Sequence, residues 1–245
     1  MDEYQLKNFL KFAPARLGLV PKKFLFIHIP KNGGMSIRHS KELEGNLVLA
    51  NRRRLKSRAY ADAVKRKMAE LGALPGYEHA RYRDVDLSVR KATKAFAIVR
   101  NPWSRTVSRF KFALQTRQTA GDLIEYSPKA FEAFLDERHL WAGVDFFWHR
   151  AIRGWYQQED YLIDENNEIT LDVMRQEHLE EDLKTYLGLK TELQARNVSK
   201  AISKDYRQIY SNHTINIVAD WYAADIKRFG FDFDTAATKN VSAFS

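Results

Sequence analysis

Two short apolar runs constrain this chain more than any other feature. Phe24–Ile29 (FLFIHI) and Phe96–Val99 (FAIV) are continuous rather than alternating, which is the pattern of strands buried on both faces of a parallel sheet. The first stops at Pro30-Lys31-Asn32-Gly33-Gly34 and the second at Arg100-Asn101-Pro102, and each loop leads into a helical segment. Asn101 before Pro102 reads as an N-cap followed by proline at the first helical position, with Trp103–Gln115 continuing as a helix. Strand, loop and helix repeated in this order predict a P-loop-like α/β sandwich, in which a central, mostly parallel sheet is flanked by helices.

The rest of the chain can be fitted around these two units. Residues 1–22 read as a lead-in helix ending at Pro21, Met35–Leu43 as helical, Asn46–Ala50 as a second short strand, and Leu55–Leu71 as a charged helix stopping near Gly72 and Pro75. Pro128–Leu140 places Phe131, Phe134 and Leu135 at helical spacing behind a Ser127 cap. Tyr161–Ile163 and Ile169–Val173, separated by Asn166-Asn167, suggest a hairpin. Leu179–Leu187 is helical up to Gly188, and Asn212–Phe229 reads as one long amphipathic helix closed by Gly230. With no internal repeat, low-complexity tract or long linker, 1–245 reads as a single domain.

Composition narrows the classes. With 44% hydrophobic and 13% aromatic residues the chain can bury a large core. No apolar stretch approaches the roughly 18 to 20 residues of a membrane span. The start Met1-Asp2-Glu3 lacks the basic and apolar regions of a signal peptide, so the expectation is a soluble, cytoplasmic protein. The absence of cysteine removes disulfides and thiolate metal sites and agrees with a reducing compartment, where the sequons at Asn197, Asn212 and Asn240 have no glycan to carry. A formal net charge of +9 favours anionic partners, but nucleic acid, acidic glycan, nucleotide and anionic membrane all meet that description. The densest basic cluster, Arg52-Arg53-Arg54 with Lys56 and Arg58, then Lys65-Arg66-Lys67, reads as the solvated face of a helix.

Two constellations carry chemistry. In Lys31-Asn32-Gly33-Gly34-Met35-Ser36 the side-chain-free residues let backbone N–H groups close around a phosphate-like anion at a helix start. It is not a Walker A loop, because the lysine precedes the glycines, and an ATPase reading loses its main support. In the second, Arg100 ends the strand, and Ser104 and Ser108, four apart, share a face of the following helix. An arginine beside a hydroxyl at a helix start makes a second anion site, and both sites would open on one carboxyl edge of the sheet.

These residues carry a family resemblance. Phe26-Ile27-His28-Ile29-Pro30-Lys31-Asn32-Gly33-Gly34 resembles the 5′-phosphosulfate loop of the sulfotransferases. Val99-Arg100-Asn101-Pro102-Trp103 through Ser108-Arg109-Phe110 resembles their 3′-phosphate motif, about 70 residues further on. The match is nearest to the carbohydrate, heparan 2-O-sulfotransferase-like and bacterial type. Weaker echoes at Arg175-Gln176-Glu177-His178-Leu179, at Asn197-Val198-Ser199 with Asp205-Tyr206, and at Asp225–Phe233 extend the likeness over a core of 23–234. Asn32 and Met35 depart from the usual loop, where threonines are common.

The resemblance implies a transferase that moves a sulfonate group from 3′-phosphoadenosine 5′-phosphosulfate to an acceptor hydroxyl, with no metal required. By that likeness Lys31 is catalytic at the bridging oxygen, Asn32, Gly33, Gly34, Met35 and Ser36 hold the 5′ end, and Arg100 and Ser108 take the 3′-phosphate. The acceptor is a glycan or another hydroxyl compound, acidic by the excess of Lys and Arg. Among the histidines, His28 reads as a core residue, and His149 and His178 sit on charged segments without loop chemistry. His79, in Gly76-Tyr77-Glu78-His79-Ala80-Arg81-Tyr82, resembles the segment bearing the base, and an ordinary pKa near 6.5 suits that role. Glu78 is the nearest substitute. Two rivals remain: a nucleotide kinase-like enzyme using the loop for ATP, and a non-enzymatic module whose basic surface binds polyanions. The chain lacks the aromatic-basic motifs of common RNA-binding folds, which argues against nucleic acid.

Overall fold

The computed structural model describes residues 3–70, 79–119, 121, 124–141, 155–190 and 205–235. Four strands, β1 (Lys23–Ile27), β2 (Leu47–Leu49), β3 (Thr93–Val99) and β4 (Asp172–Arg175), form one sheet in the order β2-β1-β3-β4. Every pairing is parallel. The helices are α1 (Glu3–Arg16), α2 (Gly34–Arg38), α3 (Arg58–Glu70), α4 (Leu87–Lys91), α5 (Pro102–Thr119), α6 (Pro128–Leu135), α7 (Glu137–Trp141), α8 (Leu179–Leu187), α9 (Asn212–Trp221) and α10 (Ala223–Phe229). No helix among the described residues is long and apolar enough to cross a membrane.

The period of two along each strand separates two cores. Leu25 and Ile27 of β1, Ala97 and Val99 of β3 and Val173 of β4 face one side, where they meet Phe110, Phe131 and Tyr222. Phe26, Phe96, Ile98 and Met174 face the other, where Ile37 of α2 and Leu183 of α8 cover them. Phe26 and Phe96 sit opposite in the β1–β3 register and stack at 5.0 Å. Burial on both faces is why the runs are continuous rather than alternating.

Local signals behave as their chemistry requires. Asn101 Oδ1 accepts from the backbone of Trp103 (3.1 Å) and Ser104 (3.3 Å), so α5 starts at Pro102. Trp103 Nε1 then donates to Ile215 O at 3.0 Å, and Tyr210 Oη donates to Trp103 O at 2.9 Å, which locks α5 against α9. Gly188 and Gly230 close α8 and α10 in the left-handed region, at φ 66° and 64°.

Four expectations are corrected. Tyr161–Ile163 and Ile169–Val173 do not form a hairpin. Asn167 does turn the chain (φ 62°), but Glu159–Tyr161 is a 3₁₀ turn, and Asp172–Arg175 pairs in parallel with β3 instead. The single helix expected over Asn212–Phe229 breaks at Tyr222, whose buried side chain reaches Arg109. Arg52–Arg54 form a 3₁₀ turn ahead of α3 rather than part of it. Finally, α2 is five residues long rather than running from Met35 to Leu43, and a 3₁₀ turn follows at Lys41–Leu43.

Candidate functional site

The chain leaves β1 toward β2 on one side and returns to β3 on the other, so the carboxyl ends of β1 and β3 flank a topological switch point. The loop after β1 and the start of α5 meet there. Lys31 (φ 69°) and Gly33 (φ 77°) both lie in the left-handed region, which for a lysine is a strained conformation held by its surroundings. Gly34 is required for clearance: a Cβ at this position would fall 2.2 Å from His28 Cδ2. A Cβ on Gly33 would meet Leu179 and Gln176 beyond β4, so three strand ends converge on this loop.

The two loops are bonded to each other rather than standing as separate sites. The Arg100 guanidinium donates from Nε to Ser104 Oγ (2.9 Å) and from Nη1 to Lys31 O (3.1 Å). Asn32, buried, donates from Nδ2 to Ile98 O (2.7 Å) and to Gln158 Oε1 (2.8 Å). Gln158 Oε1 also accepts from Arg100 N at 2.9 Å, and its Nε2 returns a bond to Arg100 O at 2.9 Å. Both oxygens of buried Asp225 accept from Gln158 N at 2.8 Å, and one accepts from Glu159 N at 3.0 Å. Burial pushes the Asp225 carboxyl up to about 6, against those bonds and the field of Arg105. Glu177 Oε1 accepts from Asn101 N at 2.9 Å, and Asn101 Nδ2 donates to Asp232 O at 2.7 Å.

The face of α5 completes the site. Ser104 touches Arg100, and one helical turn on, Ser108 is half-buried. A further turn on, the Phe112 ring lies 4.4 Å from the Lys31 ammonium. Beneath this face are two fully buried arginines. Arg105 donates from Nε to Pro30 O and from Nη1 to Tyr156 O, both at 3.2 Å, and its Nη2 finds no hydrogen-bond partner among the described residues. Arg109 donates to Tyr222 Oη at 3.0 Å and lies over the Trp155 ring at 3.8 Å.

The electrostatics are strongly positive. None of Lys31, Arg100 and Arg105 forms an ion pair among the described residues. Burial, with Arg100 and Arg109 adding repulsion, brings the Lys31 ammonium down to about 8. Burial also lowers Arg100 to about 10, offset in part by Glu177. A buried charge without a counter-charge is costly, and an enclosed group of cations is stabilised by an anion that enters it. That positive charge comes from side chains, because a helix as short as α2 adds little dipole of its own.

His79 lies at the rim of this loop. Its Nδ1 is 2.6 Å from His28 O, and the two imidazole rings are 4.5 Å apart. A carbonyl only accepts, so Nδ1 carries the proton and Nε2 keeps the lone pair. Burial, opposed by that bond and reinforced by Arg38 and Arg105, brings His79 down to about 4 rather than leaving it near 6.5. His28 is likewise held neutral, by burial first and then by His79 and Arg38, with its ring stacked on Phe26 at 5.3 Å. Arg81, two residues on, is bound to Asp84 at 2.6 Å. Tyr77 and Glu78 lie outside the described residues, as does His149.

No family model matches the chain, and neither a curated protein nor a solved structure does.

Of the residues singled out from sequence, Lys31, Asn32, Gly33, Gly34 and Arg100 come together, with Met35 and Ser36 opening α2 and Ser108 on the adjoining helix face. Arg105, Arg109, Gln158 and Asp225 were not assigned to the site. The two arginines did leave a signal, since they stand four apart among the apolar positions Trp103, Val107 and Phe110. Gln158 left none.

Proposed function

We propose that this protein is a sulfotransferase that takes 3′-phosphoadenosine 5′-phosphosulfate as donor and a hydroxyl group, on a glycan, as acceptor. The observation that carries the reading is the gathering of half-buried Lys31 and Arg100 with buried Arg105 at the β1/β3 switch point, none of them in an ion pair among the described residues. A donor with phosphate at both its 3′ and 5′ positions brings the charge this arrangement lacks. Resemblance of the two loops to the sulfotransferase motifs supports the choice among phosphorylated ligands, and the lysine ahead of the glycines disfavours an ATP loop.

In this reading Lys31 stabilises charge growing on the leaving phosphate, and Asn32, Gly33, Gly34, Met35 and Ser36 hold the 5′ end. Arg100 and Ser108 bind the 3′-phosphate, with Arg105 supporting the loop through Pro30 O. His79, neutral above about pH 4 with its lone pair on Nε2, accepts the acceptor's proton. The test is a thermal-shift series with 3′-phosphoadenosine 5′-phosphate, AMP and ATP with magnesium, followed by sulfonate transfer from the labelled donor to a panel of acidic and neutral saccharides. Stabilisation by the 3′-phosphorylated nucleotide well above AMP is expected, because a ligand that binds only the folded state raises its stability by mass action. Equal stabilisation by AMP, or a preference for magnesium ATP, would reject the donor assignment.

A further inference from the structure

Six of the eight large apolar side chains that stand exposed among the described residues fall within residues 6–20: Leu6, Phe9, Leu10, Leu17, Leu19 and Val20. They are not the face by which α1 is held. Asn8, Phe12 and Ala15 are buried, and α1 packs on α4. At 3.6 residues per turn, Leu6, Phe9 and Leu10 form a separate stripe on the outer side, which the turn after the helix extends with Leu17 and Leu19, each 73% exposed.

The same region is basic. Lys11 and Arg16 lie on α1, where Lys7 is paired with Glu3 at 2.6 Å, and Lys22 and Lys23 follow it. Arg54 reaches it from the side, donating to Asn8 Oδ1 at 3.1 Å with its guanidinium 5.3 Å from the Phe12 ring. Arg54 above all, then partial desolvation, then Lys23 and Arg53, lower the Lys11 ammonium below its ordinary value. A cavity of about 500 Å³ between α1 and β2 has Phe12, Val20 and Leu47 in its wall together with Lys11, Arg53 and Arg54, and no acidic residue among its described lining.

We infer that this apolar and basic face docks on the surface of an anionic lipid bilayer. Exposed leucines on a convex helix suit the headgroup boundary, and the surrounding lysines and arginines suit anionic lipid. A second copy of the chain is disfavoured because it would set one basic surface against another. The face adjoins the amino end of β1 at Lys23 and runs along the edge strand β2, whereas the Lys31–Arg100 crevice lies between the carboxyl ends of β1 and β3 and takes no residue from the cavity wall, so docking leaves the crevice open. The inference does not depend on sulfonate transfer.

Sedimentation of the 245-residue chain with vesicles tests it. Vesicles containing about 30% phosphatidylglycerol should bind at least about tenfold more protein than phosphatidylcholine vesicles, with most of the difference lost at ~0.5 M salt. Lys11→Glu with Lys22→Glu should weaken binding by about 25-fold or more. Leu10→Ser with Leu19→Ser should weaken it about tenfold with an unchanged thermal unfolding curve. Equal binding to the two vesicle types, or none to either, overturns the inference. Capture by poly-glutamate that equals the vesicles and ignores the leucine changes overturns it in favour of an acidic polymer. A dimer of the free protein that those changes dissolve overturns it in favour of a second copy.

Discussion

Asn32 Nδ2 donates to Gln158 Oε1 at 2.8 Å, joining two buried side chains 126 residues apart in the chain. Because the same oxygen accepts from Arg100 N, one amide fixes the spacing of the two loops at the switch point. Gln158→Ala removes one of the two partners of Asn32 Nδ2, which keeps Ile98 O, together with the Gln158 bonds to Arg100 N and O. Unfolding in urea should show a loss of about 2 to 4 kcal/mol, with weaker binding of the 3′,5′-bisphosphorylated nucleotide as the loops separate. A variant as stable as the parent would remove Gln158 from this role.

Arg100→Ala should weaken the bisphosphorylated nucleotide by about 2 to 3 kcal/mol while barely changing AMP. Ser104 only positions the guanidinium through its Oγ, so Ser104→Ala should cost less, about 1 kcal/mol. Titration calorimetry of both variants with both nucleotides checks this; equal losses for the two nucleotides would detach Arg100 from the 3′-phosphate.

Lys31 sets a pH dependence whose sign follows from its position. Free, it loses its proton at about 8; beside a bound phosphate its pKa rises again. Binding therefore takes up a proton above pH 8, and affinity falls as pH rises from there. Calorimetry in two buffers of different ionisation enthalpy should register nearly one proton at pH 9 (on the order of one unit above that pKa), and none in Lys31→Met. Turnover in Lys31→Ala should fall roughly a hundredfold or more.

The buried imidazoles give stability a dependence on pH that an exposed pair would not. His79 and His28 have folded-state values below the ordinary 6.5, so the unfolded chain binds protons first and stability falls as pH drops from 6.5 towards 4. His79, at about 4, contributes about 1.4 kcal/mol per pH unit inside that window, and His28 acts in the same direction. Asp225, raised to about 6, works the other way between 6 and 4 because the folded state takes its proton more readily. Asp225 therefore offsets part of the loss, and His79→Gln should flatten the curve. If His79 is also the base, His79→Ala should abolish most transfer yet spare nucleotide binding, and wild-type activity should rise through pH 4 rather than 6.5. Near-normal turnover in His79→Ala would exclude it.

Gly34→Ala inserts a methyl into the position held by the His28 ring, 2.2 Å from Cδ2. His28 stacks on Phe26 and carries the carbonyl that fixes His79, so it cannot move without disturbing both. A loss of about 1 to 3 kcal/mol in thermal unfolding is expected. Gly18→Ala is the control, since nothing lies within 4 Å of its added Cβ and only backbone strain at φ 72° opposes it. Equal losses at the two positions would show that strain, not the clash with His28, sets the effect.

Much of this protein was legible in its sequence because the determinants are local. Continuous apolar runs marked β1 and β3, Asn101-Pro102 placed the start of α5, and Gly188 and Gly230 marked where helices end, each through interactions within a few residues. The loop residues Lys31–Gly34 stood out for the same reason. Only the tertiary structure decided that β4 pairs with β3 rather than closing a hairpin, because strand pairing depends on which edge is open and not on the turn before it. It alone decided that Gln158 and Asp225 tie the loops together and that Arg105 lies beneath Pro30, since these bonds span 66 to 126 residues and sequence spacing does not encode them. It decided the acidity of Lys31 and His79 as well, because desolvation is imposed by distant segments that pack over a side chain, and no neighbour in sequence reports it.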